Sequence, residues 1–184
     1  MSLHFAIDAR LERMSGTMDD NQKKLALRMI PYGIYVLTCE GTDGRVSAAT
    51  VNWVTQASFK PPLVAVGVQA ESLAHTLIKE RRVFALNILG KGQGDIAYGF
   101  FKPTERDGDT IGGRRFSSGS TGSPILEDTT AFVECKLVDS IEKGDHSVFV
   151  GEVVNAGIAK PFDGRADQAV LVMAELGDKV FYGG

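Results

Sequence analysis

The spacing of hydrophobic positions changes period several times along the chain. Residues 19–30 carry Leu25, Ala26, Met29 and Ile30 at helical intervals. Pro31 ends that run, because the residue before a proline avoids helical geometry. Apolar and branched residues then gather at 32–39 and 46–53, separated by a Gly-rich turn at 40–44, which predicts a β-hairpin. Phe59-Lys-Pro-Pro62 interrupts the chain, and 63–68 resumes as a strand. Residues 71–82 place Leu73, Leu77 and Ile78 on one helical face, 83–89 reads as a buried strand, and 95–101 as a short helix. The Gly-, Ser- and charge-rich stretch 103–123 predicts a long structureless loop. Beyond it, 131–138 alternates Ala131, Val133, Cys135 and Leu137 against Phe132, Glu134, Lys136 and Val138. Residues 146–154 and 169–173 complete the strands. Six or more short strands with few helices predict a mainly β protein built as a closed or partly closed barrel. Residues 1–18 show no period and read as an N-terminal arm to a single domain over 19–184.

Composition narrows the class. A net charge of −3 and a pI near 5.6, with no Lys/Arg block longer than a pair, argue against a nucleic-acid partner. No run of about 18 apolar residues predicts a membrane span, and the first residues do not read as a signal peptide. A cytoplasmic protein is the expectation. Cys39 and Cys135 each lie inside an apolar run and outside any CxxC pair, so they read as buried free thiols.

Several chemistries find no support. There is no GxxxxGK[ST] loop and no GxSxG elbow. Leu89-Gly-Lys-Gly-Gln-Gly94 has Asp95 where a dinucleotide turn needs glycine. His4, His75 and His146 and the two cysteines are scattered without metal-ligand spacing. A bound cofactor that carries its own reactivity needs no acid–base constellation from the protein, only position and electrostatics. Residues 47–53 suit a planar ring. Small and hydroxyl residues such as Ser47 and Ala49 allow close approach, Thr50 and Asn52 offer hydrogen bonds, and Trp53 offers a wall. The same pattern suits a barrel strand whose polar side chains face solvent. Gln69 and Ser72 precede the second helix. Ser72 is a good N-cap, and a helix start offers N–H groups and a favourable dipole to phosphate; simple capping explains the serine equally well. His146, beside Asp145 at the entry to a strand, is either structural or functional.

In order and spacing, these segments resemble the flavin-reductase-like, FMN-binding split-barrel family from about residue 25 to residue 156. The resemblance is carried by Tyr32-Gly-Ile-Tyr-Val-Leu-Thr38, the strand after Gly44 leading through Pro61-Pro62 to Val66, and Ser72 to His75. It continues through Phe84-Ala-Leu-Asn-Ile-Leu89, Phe132-Val-Glu-Cys135, Gly144-Asp-His146 and Phe149-Val-Gly-Glu-Val153. It implies a six-stranded Greek-key split β-barrel and a homodimer with FMN, rather than FAD, near the subunit interface. It also implies cofactor contacts from Ser47, Ala49, Thr50, Val51, Asn52 and Trp53, and from Gln69, Ser72, His75 and Thr76. His146 takes the family position near the flavin and the approaching nicotinamide, as the catalytic residue. Many relatives have Thr before the helix histidine where this chain has Ala74, so Thr76, Ser72 and backbone donors would serve the phosphate, with Arg114-Arg115 as a further basic pair. The implied activity is NADH- or NADPH-dependent flavin reduction, with a partner oxygenase or electron-transfer protein. The alternative is an FMN-binding electron relay without that activity.

Overall fold

The computed structural model describes residues 18–183. They fall into two compact units, and all but the last residue of the expected N-terminal arm lies outside the described residues. In the smaller unit, helix α1 (Asp20–Arg28) starts where the Asp19 carboxylate accepts the Gln22 N–H at 2.8 Å. Arg28 stands in its last turn, as the helix dipole favours. Its guanidinium lies 4.2 Å from the centre of the Phe181 ring, and its Nε donates to the Gly183 carbonyl.

The larger unit spans Tyr32–Val180. Its main sheet contains β1 (Tyr35–Glu40), β2 (Val46–Val51), β3 (Val54–Phe59), β4 (Pro62–Gln69), β5 (Val83–Ile88), β10 (Ala131–Glu142) and β11 (His146–Ile158). The strands are antiparallel in the order β2-β1-β5-β10-β11-β4-β3. The two edge strands, β2 and β3, are consecutive in the chain and joined only by Asn52 and Trp53. Laid flat, seven strands would hold their edges about 29 Å apart, whereas the three Cα steps from Val51 to Val54 span at most about 11 Å. The sheet must therefore curl until its edges approach. The hydrogen-bonded ladder does not close across that seam, and it has seven strands, not the six expected.

The curl sorts the core into two layers. The inner cluster joins Leu37 and Cys39 of β1 to Val66 and Val68 of β4, although these strands stand four apart in the order. Phe84, Cys135 and Phe149 fill the space between them. Helix α2 (Leu73–Arg81) covers one side with Ala74, Leu77 and Ile78. Gly151 makes room for this filling: a Cβ there would lie 2.7 Å from Phe84 Cζ and 2.8 Å from Cys135 Cβ. The outer cluster packs Ile34, Val36, Ala48 and Leu89 beneath helix α3 (Gly94–Gly99) and against Leu126 and Leu171.

Four further expectations need correction. Residues 54–59 form a strand that the sequence hides, because Thr55, Gln56 and Ala57 are all exposed and show no alternation. The stretch 103–123 is not structureless. It contains the two-residue strands β6 (Arg106–Asp107) and β7 (Thr110–Ile111), and β8 (Arg114–Ser118). The last pairs with β9 (Pro124–Leu126) to complete a second, four-stranded sheet. Gly112 and Gly113 turn that chain with φ of 56° and 76°. Residues 169–173 are not a strand. They leave a four-residue helix, α4 (Ala166–Ala169), make isolated bridges from Val170 to Gly90 and from Val172 to Gly33, and enter a 3₁₀ turn at Met173–Leu176.

Glu134, expected on the polar face of β10, is fully buried at a bulge between Glu134 and Cys135. Its carboxylate accepts from the backbone N–H and hydroxyl of both Ser120 and Thr121, and from Asn155 Nδ2. Burial alone would raise its pKa. The hydrogen bonds outweigh that and hold it down to about 2. Asn87 ties in β9 similarly. It donates to the Val36 carbonyl and Thr38 Oγ1, and accepts from Leu126 N.

Candidate functional site

The β2–β3 crossing sets the site. Asn52 is 3% exposed, and Trp53 follows with its carbonyl accepting the Gly67 N–H at 2.8 Å. The indole lies over Gly67, where a Cβ would come within 3.0 Å of Trp53 Cε3. An isolated glycine in a strand often marks such a close approach, and this one stands within an otherwise apolar run. Its role was legible only after the neighbour was known.

Trp53 meets His146, with ring centres 4.7 Å apart and planes tilted by 57°. His146 pairs in register with Gln69 across β4 and β11. Its neighbour Ser147 pairs with Val68 of the inner core, so strand alternation turns His146 outward. His146 Nδ1 lies 3.0 Å from Asp145 Oδ1, and this hydrogen bond holds the exposed aspartate below the usual carboxylate range.

Helix α2 begins directly after Gln69. Ser72 Oγ accepts the His75 N–H at 3.2 Å and donates to the Gln69 carbonyl at 2.7 Å. The Leu73 and Ala74 N–H groups remain as first-turn donors with no acceptor inside the helix. Thr76 is exposed, and its hydroxyl turns back to the Ser72 carbonyl at 3.4 Å. His75 points inward: its Nε2 lies 2.9 Å from Ser147 Oγ and its ring packs on Phe149.

On β2, Val51 packs into the inner core, and Ser47 is 8% exposed while Ala49 is half-buried. Thr50 is tied to α3, donating its hydroxyl to the Ala97 carbonyl at 2.7 Å and its N–H to the Phe100 carbonyl at 3.1 Å. The structure thus gathers Trp53, Gln69 and His146, with Ser72 at the adjoining helix start. It turns Thr50 toward α3 and His75 into the core. The sequence reading missed Gly67 and Ser147, and also the half-exposed Tyr98 and Phe101, packed edge to face beside Thr50's anchor on α3.

A family model described as flavin reductase like domain matches residues 27–174. The chain belongs to the flavin-reductase-like family. It is 32% identical to diflavin flavoprotein A 1 from Synechocystis sp. over 83% of its own length, but spans only 26% of that much longer protein. It is 31% identical to a ferric-chelate reductase (NAD(P)H) from Archaeoglobus fulgidus, with 82% of this chain and 86% of that protein covered. Among solved structures, it resembles the styrene monooxygenase flavin reductase from Pseudomonas putida S12 with a TM-score of 0.64. The identity there is 29%, over 78% of this chain and 89% of that one.

For a member of this family, the residues present suit a flavin. The aromatic wall of Trp53, seated on a glycine, offers a flat surface, and the capped start of α2 offers donors to an anion. Thiol chemistry is not offered: burial pushes both Cys39 and Cys135 up to about 12, which keeps them protonated. Among the described residues, no cluster of His, Cys, Asp and Glu is placed to hold a metal ion.

Proposed function

We propose that this chain is an FMN-binding oxidoreductase that reduces the flavin with NADH or NADPH, within a flavin-binding domain over 19–184. The observation that carries the reading is the Trp53–His146 contact standing beside the capped start of α2. Trp53 would wall one side of the isoalloxazine, with Ser47 and Ala49 allowing close approach along β2. Asn52 lies in the same crossing, and Gln69 stands opposite His146. The first turn of α2, with Ser72, would take the phosphate, which favours FMN, whose chain ends there, over FAD. Bound flavin supplies the two-electron chemistry itself. The chain's own residues bind it, exclude water and orient the donor. His146 is the orienting group, its ring held by Asp145 through Nδ1 and set against Trp53. The curled, unclosed sheet would be the family's split barrel.

Val138, Ile141, Val148, Val154 and Ile158 remain exposed along the β10–β11 hairpin. That apolar surface supports a homodimer, since such exposure usually marks an interaction face. A cytoplasmic setting accords with two buried, protonated thiols; no described helix is long and apolar enough to cross a membrane. An oxygenase that consumes reduced flavin, or an electron-transfer protein, would be the partner. The match to one part of a diflavin flavoprotein favours a second reading, in which bound FMN relays electrons between proteins.

His146→Ala tests the assignment. It should slow flavin reduction by NAD(P)H at saturating FMN by about 10-fold or more while leaving FMN affinity near the wild-type value, because loss of orientation alone is costly. A folded variant that reduces FMN at the wild-type rate would make His146 structural.

A further inference from the structure

The start of β11 and the start of α2 are fastened together at three points. Gln69 stands opposite His146 in the β4–β11 ladder, and the Ala70 N–H donates to the Asp145 carbonyl at 2.9 Å. The third fastening is His75 Nε2 to Ser147 Oγ, at 2.9 Å. It alone is made by two side chains, and both are buried, His75 at 9% exposed and Ser147 at 1%. The imidazole is held from a second direction by the Phe149 ring, 5.0 Å away. The backbone N–H of the same histidine is taken by the Ser72 cap. One residue therefore reaches both the helix start and the strand residue next to His146.

A pair of apolar side chains would fill this position with no hydrogen bond to satisfy, so a buried polar pair adds direction rather than bulk stability. The direction has a consequence at the site. Ser147 faces the inner core, and His146, one residue earlier, faces outward. Fixing the Ser147 side chain fixes the roll of the strand, and with it the direction of the His146 ring against Trp53.

We infer that His75 and Ser147 are a positioning pair, which holds the His146 ring and the first turn of α2 in one fixed relation for the flavin and its nicotinamide donor. Neither residue touches substrate or cofactor in this scheme. The inference rests on the function proposed above, and it assigns His75 a different task from the direct cofactor contact expected from the sequence.

The test uses the full chain with FMN, in the variants Ser147→Ala, His75→Leu and His75→Gln, the Ser147→Ala/His75→Leu double, and Ser147→Ala in a His146→Ala background. Two quantities are read: the FMN-to-riboflavin affinity ratio from flavin fluorescence, and the rate of flavin reduction by NAD(P)H at saturating FMN. Ser147→Ala and His75→Leu should each lower the rate about 10-fold, since small misplacements of an orienting group are costly, and should lower the affinity ratio. The double variant should be no worse than either single one, as coupled residues behave. His75→Gln, which keeps a side-chain donor, should recover part of both losses. In the His146→Ala background, Ser147→Ala should change the rate no further. A folded Ser147→Ala protein with wild-type rate and wild-type affinity ratio overturns the inference. So does a rate loss that persists undiminished once His146 is gone. A wild-type protein whose bound FMN stays oxidised with both NADH and NADPH overturns instead the function on which the inference rests.

Discussion

Replacing Glu134 with glutamine should destabilise the protein by an amount that shrinks as the pH falls. The carboxylate is fully buried and accepts from Ser120, Thr121 and Asn155. Glutamine keeps one acceptor oxygen and aims an NH₂ at donors, leaving buried N–H groups without a partner. The magnitude follows from linkage. The side chain titrates near 4.5 when free and about 2 in the folded protein. A gap of that size corresponds to about 3 kcal/mol of stability held by the ionised form. Because the folded value is depressed, this stability is fully present above pH 4.5 and is lost as the pH falls toward 2. By pH 3 about 2 kcal/mol of it should be gone. Other carboxylates titrate alike in both proteins and cancel in the difference. Urea unfolding of wild type and Glu134→Gln from pH 7 to pH 3 should show a stability gap of roughly 2–3 kcal/mol that narrows steadily through the acid range. A gap that stays constant from pH 7 to pH 3 would refute the view that the charge, and not the shape, anchors the Ser120–Thr121 loop.

Two glycines give sharper geometric tests. Gly151→Ala puts a methyl between the Phe84 ring and Cys135, both fully buried, and should cost about 1–3 kcal/mol in denaturant unfolding. Gly67→Val pushes against the Trp53 indole and should loosen its contact with His146, weakening FMN binding about 10-fold or more in a fluorescence titration while the fold survives.

What the sequence disclosed depended on how far each feature was written locally. Strands β1, β5 and β11 carry dense apolar runs, and their existence follows from pattern alone. Strand β3 does not, because it pairs along one edge only and leaves Thr55, Gln56 and Ala57 exposed. The four-stranded minor sheet is equally silent, since strands of two residues have no period to detect. Glu134 misled for the opposite reason: a bulge shifts the alternation, and the donors that make its burial tolerable come from a loop 13 and 14 positions earlier and from Asn155, outside the strand's own pattern. At the site, Trp53 and Ser72 announced themselves by residue type. The inward turn of His75 and the task of Ser147 did not, because each is defined by a partner 72 positions away.

The central claim is that this chain passes a hydride from a nicotinamide to flavin. The most direct measurement is anaerobic stopped-flow absorbance of the wild-type protein with FMN, mixed separately with NADH and with NADPH. The account predicts rapid bleaching of the oxidised flavin band with at least one donor, saturating as donor concentration rises. Bound FMN that stays oxidised at millimolar concentrations of both donors would contradict it and leave the electron relay as the function.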